Sequence, residues 1–394
     1  MQANFKYSPP SSLRLATPPF FLRKIGGHIY RSPLSKGEIK QKADIMNFED
    51  IILHKDNSIK AKTLRAFLIP FSWLYIFVHF LFFIPYKLGI RKKHKAHIPV
   101  ICVGNITMGG TGKTPFVITL SNILKDFGYK PVIISRGYGR KSTENMVFCP
   151  KDSLLAEDTG DEPYLLSKAT DLSIIIGKNR IKSIQMSQDL DCNIIILDDG
   201  MQYWQLHKDI EIAIASAQKP FGTGRVIPAG DLREPKKGLK RCQFIVLTDN
   251  NPIGKETIEK VQDYCQNSFV HEGITKPLNI TYKEKNYDLD FLKGKKVIGI
   301  CGIGNPERFK RTLSDLGADT LEFITYPDHH NYMEEDINLS KEKAKECDFV
   351  VTTAKDRVKM PLDLNVAVVN IYTQIDEDFK EKLKIKLKEN LITK

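Results

Sequence analysis

V-G-N-I-T-M-G-G-T-G-K-T-P, residues 103–115, is the stretch of this sequence that decides the fold. Its end has the form of a phosphate-binding loop, in which glycines bring backbone N–H groups close to phosphate oxygens. The standard pattern G-x-x-x-x-G-K-[ST] has a glycine five residues before Gly112, whereas this chain has Thr107 there. The context is still that of such a loop, because a buried-strand run at residues 100–103 precedes it and a helically spaced segment at residues 116–127 follows it.

The loop predicts a site for ATP and Mg²⁺. Lys113 is expected to reach the β- and γ-phosphates, and the hydroxyl of Thr114 to hold the metal ion. Pro115 suits the first turn of the following helix, where a missing N–H costs little. The predicted ATP-binding residues are Thr107, Met108, Gly109, Gly110, Thr111, Gly112, Lys113 and Thr114.

Residues 194–200, I-I-I-L-D-D-G, form a second element of the predicted site. A buried strand that ends in acids is typical of a Walker B element, so Asp198 or Asp199 is expected to bind Mg²⁺ directly or through water. The alternative is a strand-end turn, because D-G is turn-prone. The phosphate loop upstream favours the metal interpretation.

From Pro99 onward, short apolar runs rich in β-branched residues alternate with helical patterns. This alternation predicts an α/β fold: a P-loop NTPase-like parallel sheet core covered by helices on both faces, at residues 99–280. The pattern becomes polar near residues 266–288, and a shorter series of strands begins at residue 296. We therefore expect a second, smaller α/β domain at residues 281–394, ending in a charged, amphipathic helix.

Residues 1–45 are basic and contain no acid before Glu38. Such a start is similar to an organelle transit peptide. The favoured alternatives are an upstream start codon, with Met46 as the true beginning, or a disordered extension. The apolar piece at residues 18–22 is too short for a secretory signal.

An apolar, aromatic segment at residues 66–86 lies within the N-terminal segment 46–98. The part between its two prolines, Pro70 and Pro85, would span roughly 21 Å as a helix, less than a hydrocarbon core of about 30 Å. Basic residues lie on both sides, whereas a spanning helix usually has them on one side. The pattern therefore predicts a membrane-associating helix that embeds in one leaflet and contacts anionic headgroups, with a buried core helix as the alternative. One thin polar stripe recurs every seven residues, at Arg65, Ser72, His79 and Tyr86.

The bulk composition is that of a globular protein of 394 residues, 42% hydrophobic and 27% charged. A formal net charge of +12 favours an anionic partner. The seven cysteines form no C-x-x-C pair, which argues against a zinc site and against a disulfide framework. A reducing compartment fits this usage.

Four further motifs carry candidate site residues. Arg136 lies in S-R-G-Y-G-R, where it or Arg140 could clamp a phosphate with two hydrogen bonds. Asp161 in G-D-E-P is a candidate general base, and R-V-I-P-A-G-D-L-R-E-P at residues 225–235 offers groups for substrate or metal. Adjacent histidines in Y-P-D-H-H-N-Y, residues 326–332, suggest a proton-handling loop. Each motif alone is more often a surface turn, but their joint presence with a phosphate loop favours a site.

From about residue 46 to its end, the chain resembles the tetraacyldisaccharide 4′-kinase family, the lipid A 4′-kinases of Gram-negative bacteria. The resemblance rests on the phosphate loop, S-R-G-Y-G-R, G-D-E-P, D-D-G-M-Q, P-A-G-D-L-R-E-P, P-D-H-H and T-A-K-D-R-V-K at residues 353–359. A threonine at position 107 is normal for that family. The resemblance therefore identifies residues 103–115 as a variant P-loop.

The resemblance implies that ATP donates its γ-phosphoryl group to the 4′-hydroxyl of an acylated glucosamine disaccharide 1-phosphate in the membrane. It implies a monomer that is peripheral or monotopic at the cytoplasmic face of the bacterial inner membrane. The implied catalytic residues are Lys113 and Asp161, the latter as base in a dyad with His330 or His329, of which His330 is preferred. Asp198 and Asp199 match the Mg²⁺-linked acids. The predicted substrate residues are Arg136, Tyr138, Arg233 and Glu234.

One departure from the family lies in D-D-G-M-Q-Y-W, where the family usually has phenylalanine and histidine at the positions of Met201 and Tyr203. Tyr203 therefore cannot take any role that a histidine there would have.

Three other classes of protein fit the sequence less well. A membrane-associated P-loop ATPase switch is the main alternative, and it would need no acceptor base. A GTPase fits less well, because T-A-K-D has its lysine one position away from the guanine-reading order. A nucleic-acid binder would show aromatic residues among clustered basic ones, whereas here the aromatic residues cluster in the apolar helix, so nucleic acid is not expected as a partner.

Overall fold

The computed structural model describes residues 21–25, 28–32, 51–54, 56–140, 142–152, 154–328, 330–361 and 364–392. Met46 and His329, two residues that enter the sequence predictions, lie outside the described residues, as does most of segment 1–45.

The strands of the described part of the chain form one mixed sheet. Their bounds are β1 Phe21–Ile25, β2 His28–Ser32, β3 Val100–Gly104, β4 Pro131–Ser135, β5 Met146–Phe148, β6 Ile174–Ile176, β7 Ile194–Asp198, β8 Ile210–Ser216, β9 Phe244–Asp249, β10 Phe269–Tyr282, β11 Lys285–Tyr287, β12 Lys296–Cys301, β13 Asp319–Thr325, β14 Phe349–Thr353 and β15 Ala367–Ile375.

Helices cover both faces of this sheet. Their bounds are α1 Ile59–Lys87, α2 Lys113–Asp126, α3 Ala156–Thr159, α4 Asp161–Thr170, α5 Arg180–Met186, α6 Lys255–Tyr264, α7 Pro306–Asp315, α8 Glu334–Lys343, α9 Ala354–Arg357 and α10 Glu377–Ile392.

The first half of the sheet has the order β9-β8-β3-β7-β4-β6-β5, parallel except for β5. Strands β3, β4 and β7 are buried along their whole length, which is why they read as continuous apolar runs rather than alternating ones. The predicted P-loop NTPase-like core is thereby confirmed. Because β3 pairs with β7, the phosphate loop and the acids after β7 leave the same edge of the sheet.

The second half continues the same sheet. Strand β10 pairs with β9 in parallel through its first residues and with β15 in antiparallel through its later ones. Beyond β15 come β14, β12 and β13, all parallel, and then the hairpin of β1 and β2. The boundary expected at residue 280 falls inside β10, so the two halves share a strand while keeping separate hydrophobic cores.

The terminal helix α10 packs on the first half of the sheet. The sequence pattern predicts it as part of the second, smaller domain. Its apolar side chains Phe379 and Leu383 are fully buried in the first core. The ring of Phe379 lies 5.8 Å from that of Phe116 and 5.2 Å from that of Phe244, between centroids. The C-terminal helix of the chain therefore packs against the half that carries the phosphate loop.

The apolar segment forms α1, a helix of 29 residues that begins at Ile59, seven residues earlier than its apolar run. The hydroxyl of Ser58 accepts a hydrogen bond from the Ala61 N–H at 3.2 Å and caps the polar first turn. The polar stripe faces the protein: Arg65 and Ser72 are buried, and Ser72 donates to the Val226 carbonyl at 2.7 Å.

The opposite face of α1 is exposed and apolar. It is formed by Phe67, Phe71, Trp73, Leu74, Phe77, Val78, Phe80, Leu81 and Phe82. The helix is long and apolar enough to cross a membrane. Such exposure excludes the alternative of a buried core helix.

Candidate active site

The phosphate loop joins β3 to α2 as the sequence predicts. Gly109 and Gly112 have φ of +91° and +80°, a backbone region that residues with a Cβ rarely adopt. Gly112 precedes the first turn of α2, so the free N–H groups of that turn lie at the loop. Near the end of β9, the hydroxyl of Thr248 donates a hydrogen bond to the Thr111 carbonyl at 2.8 Å and so stabilises the loop.

Asn105, which no sequence prediction included, holds the loop from inside. Its fully buried amide donates to the carbonyl of Thr107 at 2.8 Å and to the hydroxyl of Thr111 at 3.1 Å. Its carbonyl oxygen accepts from the Nζ of Lys113 at 3.1 Å. A polar residue directly after a buried strand was the available signal. Asn105 thus fixes both the conformation of the phosphate loop and the position of the Lys113 ammonium.

The unusual threonine at position 107 is accommodated by a second segment. Thr107 forms a β-bridge with Leu232, and the N–H of Met108 donates to the Asp231 carbonyl at 2.7 Å. The N–H of Arg233 donates in turn to the Ile106 carbonyl at 2.7 Å. The start of the loop is therefore fixed by backbone pairing with residues 225–235.

Asp199 lies between two cations. Both of its oxygens accept from Nη1 of Arg233, at 2.8 and 2.9 Å, and Nζ of Lys113 lies 3.7 Å away. Burial alone would raise the pKa of Asp199, but the charges of Lys113 and Arg233 outweigh burial and lower it. Asp199 is therefore an ionised carboxylate beside the phosphate-binding lysine.

Asp198 has the opposite electrostatic character. It is buried, and the Ser135 hydroxyl donates to it at 3.0 Å. Burial raises the pKa of Asp198 to about 7, and the charges of Glu162 and Asp199 add to that effect. Crowded carboxylates of this kind are typical of cation sites, and the oxygen donors here suit Mg²⁺. The hydroxyl of Thr114, in the first turn of α2, could supply a further oxygen.

Arg180 is a second residue that the sequence reasoning missed. It is the first residue of α5, is buried, and donates from Nη1 to the Gly177 carbonyl. Its Nε has no hydrogen-bond partner among the described residues. Burial lowers the pKa of Arg180, and the nearby charges of Asp198 and Asp199 oppose that effect. It adds a cation beside the acidic pair.

Glu234, which the sequence predicts to bind substrate or metal, lies in a buried hydrogen-bond network. Glu234 is 2% exposed, and both of its oxygens accept from Arg241, at 2.6 and 2.9 Å. Gln202 donates to the same carboxylate at 2.7 Å. Glu234 is fully engaged in this network and holds the loop around Arg233 in place. Arg233, in contrast, reaches the site.

The S-R-G-Y-G-R loop follows β4 at the rim of the site. Arg136 is exposed, and Tyr138 is 81% exposed. Arg140, the other candidate clamp, folds back and donates from Nη2 to the Glu144 carbonyl. Of the two arginines, Arg136 is therefore the one available to a ligand.

Asp161 forms an ion pair with a residue from the other half of the sheet. It is the first residue of α4, and Nζ of Lys359 lies 3.3 Å from its Oδ2. The side chain of Lys359 is only 4% exposed, and its Nζ has no hydrogen-bond partner among the described residues. Lys359 belongs to T-A-K-D-R-V-K, a motif to which the sequence analysis gave no role. A buried lysine is thus directed at the predicted base.

His330 is not paired with Asp161 in this structure. Its Nε2 lies 2.9 Å from Oδ2 of Asp336, and its ring stacks on Tyr326 with centroids 4.4 Å apart. The expected Asp161–His330 dyad is therefore absent from this arrangement, because Asp336 occupies the imidazole. The candidate His329 lies outside the described residues.

Helix α1 is attached directly to the loops of the site. The hydroxyl of Tyr75 donates to the Arg233 carbonyl at 2.9 Å, and the ring of Phe83 lies 4.4 Å from that of Trp204. Trp204 follows the D-D-G motif, and Arg241 covers its ring at 4.4 Å. In the same segment, Met201 is buried against Gly104 and the Tyr203 hydroxyl donates to Gln205 at 3.4 Å.

Comparison with known proteins identifies the family. The sequence model of the tetraacyldisaccharide-1-P 4′-kinases matches residues 64–388. A tetraacyldisaccharide 4′-kinase of Halothermothrix orenii is 41% identical over 303 residues, covering 71% of this chain and 78% of that protein. One from Aquifex aeolicus is 34% identical over 331 residues, covering 82% and 97%.

A solved structure agrees with this finding. LpxK from Aquifex aeolicus in complex with ATP is 30% identical to this chain, with a TM-score of 0.68, covering 82% of this chain and 99% of that one. The chain belongs to the tetraacyldisaccharide-1-P 4′-kinase family.

Replacing Asn105 by alanine should weaken ATP binding about 10-fold and lower the free energy of unfolding by about 1–3 kcal/mol, because Lys113 and Thr111 lose a buried partner. Titration calorimetry with ATP and urea denaturation would measure the two effects. Asn267→Ala, at an exposed position, serves as the control and should change neither. Unchanged ATP affinity in Asn105→Ala would contradict the role given to this residue.

Proposed function

We propose that this member of the tetraacyldisaccharide 4′-kinase family transfers the γ-phosphoryl group of ATP to the 4′-hydroxyl of tetraacyldisaccharide 1-phosphate at the edge where β3, β4 and β7 end. The observation that carries the proposal is the position of Lys113, held at the start of α2 between Asn105 and Asp199. This is where a phosphate-binding lysine must lie to meet the β- and γ-phosphates. The product is the bis-phosphorylated lipid A precursor.

The nucleotide phosphates would lie over Gly109–Gly112, within reach of backbone N–H groups and of the positive end of α2. Thr114, Asp198 and Asp199 would hold Mg²⁺, and the negative charge of Glu162 acts on Asp198. An ion held by these residues would neutralise negative charge on the phosphates. Lys113, Arg233 and Arg180 are the residues of this chain that stabilise the remaining negative charge.

Asp161 is proposed to accept the proton of the 4′-hydroxyl. Its carboxylate lies at the start of α4, and Nζ of Lys359 is 3.3 Å from its Oδ2. We assign Lys359 as a positioning residue, because it contacts Asp161 rather than the reacting atoms. Either His329 or His330 could complete the dyad, and His330 would first have to leave Asp336.

Arg136 and Tyr138 are proposed to contact the acceptor, since both are exposed at the rim of the site next to the α4 start. Arginine suits an acceptor rich in oxygen atoms, because its guanidinium can donate two parallel hydrogen bonds.

Helix α1 is proposed to embed in one leaflet at the cytoplasmic face of the bacterial inner membrane. Its contacts with the protein run from Arg65 to Phe83, a length of about 27 Å along the helix axis. A helix that is attached to the polar core over this length cannot cross the bilayer without carrying that core into it. Its apolar face can instead enter the membrane beside the site, with the enzyme acting as a monomer.

A membrane-associated ATPase switch would share the phosphate loop and α1. It would not need a carboxylate such as Asp161 opposite the nucleotide site, nor a buried lysine directed at that carboxylate. The kinase is therefore the better account of the geometry.

Transfer of label from γ-labelled ATP to tetraacyldisaccharide 1-phosphate in mixed micelles tests the kinase. Lys113→Ala should lower the rate about 10²–10³-fold through lost charge stabilisation, and Asp161→Asn about 10²-fold or more through the lost base. Lys130→Ala, which removes one partner of an exposed surface ion pair, should keep the wild-type rate. Absence of labelled lipid from the wild type, with ATP hydrolysis that depends on Lys113, would instead support the ATPase switch.

Charged residues on the exposed face of α1 should release the enzyme from membranes. Phe71→Glu together with Phe77→Glu should reduce binding to vesicles containing anionic phospholipid roughly 100-fold, because two aromatic side chains would no longer be buried in the acyl region. Flotation with vesicles would measure this, with Ile385→Glu on α10 as the matched exposed control. Equal flotation of all three proteins would refute insertion of this face.

A further inference from the structure

A basic pocket lies between the first turns of α1 and the segment that follows β8. It has a volume of about 260 Å³ and is lined by His54, Lys62, Arg65, Ala66, Ile69 and Arg225. Four of these six side chains are basic and none is acidic. This volume is sufficient for a phosphate group with part of the sugar that bears it.

The basic side chains of this pocket differ in how many hydrogen bonds and ion pairs they already form within the protein. Arg65 is buried and donates from Nη1 to the carbonyls of Ile51 and Asp56, at 3.1 and 2.8 Å. Lys62 and Arg225 are exposed and form no ion pair with another described residue. The charge of Asp56 acts on Arg65 from outside the pocket, whereas none of the lining residues is acidic. Like charges that converge in this way repel each other, and a bound anion reduces that repulsion.

The backbone at one wall is strained. His54 has a φ of +56°, a left-handed conformation that is uncommon for residues other than glycine. Its Nε2 lies 3.4 Å from the Ala229 carbonyl, which ties this wall to residues 225–235. Strain of this kind concentrates at sites that hold ligands.

The basic pocket lies where the apolar face of α1 begins. Phe67 and Phe71, which lie beside the lining residues Ala66 and Ile69 on α1, are 65% and 49% exposed. When that face enters a leaflet, the pocket is at the headgroup level, where the phosphates of membrane lipids lie.

The same pocket is linked to the reacting end of the site. The carbonyl of Arg225 accepts from the Leu232 N–H at 3.0 Å, and the next residue, Arg233, binds Asp199. Along α1, Arg65 and Tyr75 are roughly 15 Å apart, and Tyr75 donates to the Arg233 carbonyl. A two-ring acceptor with a phosphate at one end and the reacting hydroxyl at the other is suited to bridge such a separation.

We propose that the basic pocket binds a phosphate monoester at the membrane surface, namely the 1-phosphate of the acceptor. The proposal rests on the kinase function proposed above. It makes Arg225 and Lys62 determinants of acceptor specificity, separate from the residues that bind ATP. An anionic phospholipid carries similar chemistry, and the experiment distinguishes the two sources.

The test compares wild type with the double variant Lys62→Met, Arg225→Met on two acceptors, tetraacyldisaccharide 1-phosphate and the same lipid without its 1-phosphate. Both are presented in neutral-detergent micelles, with and without phosphatidylglycerol. The double variant should have a KM about 10-fold higher for the phosphorylated acceptor, the range of one charged hydrogen bond. Its KM for ATP and its KM for the dephosphorylated acceptor should match the wild type. Lys62→Arg with Arg225→Lys should restore most of the preference.

Arg311→Met, an exposed arginine on α7, is the matched control and should behave as wild type. An equal rise in KM for both acceptors would overturn the proposal, since the loss would then be unrelated to the 1-phosphate. A rise that occurs only with phosphatidylglycerol would also overturn it and would assign the pocket to phospholipid. A wild type that labels neither acceptor while still binding ATP would indicate failure of the kinase function itself.

Discussion

The ion pair between Asp199 and Arg233 is the contact on which the arrangement of the site depends. Asp199 directly follows β7, the strand that pairs with β3, and Arg233 belongs to the segment that supports both Thr107 and α1. Because Lys113 contacts the same carboxylate, one half-buried negative charge joins the phosphate loop, the acidic pair and α1. A kinase that brings a soluble donor to a bilayer-bound acceptor needs this fixed spacing, since phosphoryl transfer depends mainly on positioning and charge stabilisation.

The second constraint is the continuous sheet. Because β10 pairs with strands of both halves, the smaller half cannot move far without straining a shared strand. That half supplies Lys359 to Asp161, while α10 returns to the first core. The predicted base thus belongs to one half and its cationic partner to the other. A change in the angle between the halves would alter this contact and the distance from Asp161 to the histidine loop together.

The sequence was most informative where chemistry and periodicity coincide. Continuous apolar runs before G-K-T and D-D-G predicted β3 and β7, and the parallel pairing that brings Lys113 to Asp199 followed from the fold class. Asn105, Arg180 and Lys359 were missed because their roles come from burial and from contacts across 8 to 198 residues of chain. A local signal existed only for Asn105, a polar residue directly after a buried strand. The network that holds Glu234 was not visible for the same reason: its partner Arg241 lies in a segment that carries no motif. The polar stripe of α1 was visible in the sequence, but which side it faces depends on the core that it contacts.

The claim that both halves of the sheet complete one site is tested most directly by a double-mutant cycle on Lys359 and Asp161, read as the kcat of phosphate transfer to the acceptor. If Lys359 acts through Asp161, each single substitution, Lys359→Met and Asp161→Asn, lowers kcat, and the double variant is no slower than Asp161→Asn alone. The coupling should then equal the whole effect of Lys359, with the KM for ATP unchanged. If the two effects multiply instead, Lys359 serves the fold or another group, and the account of a base held from the opposite half is wrong.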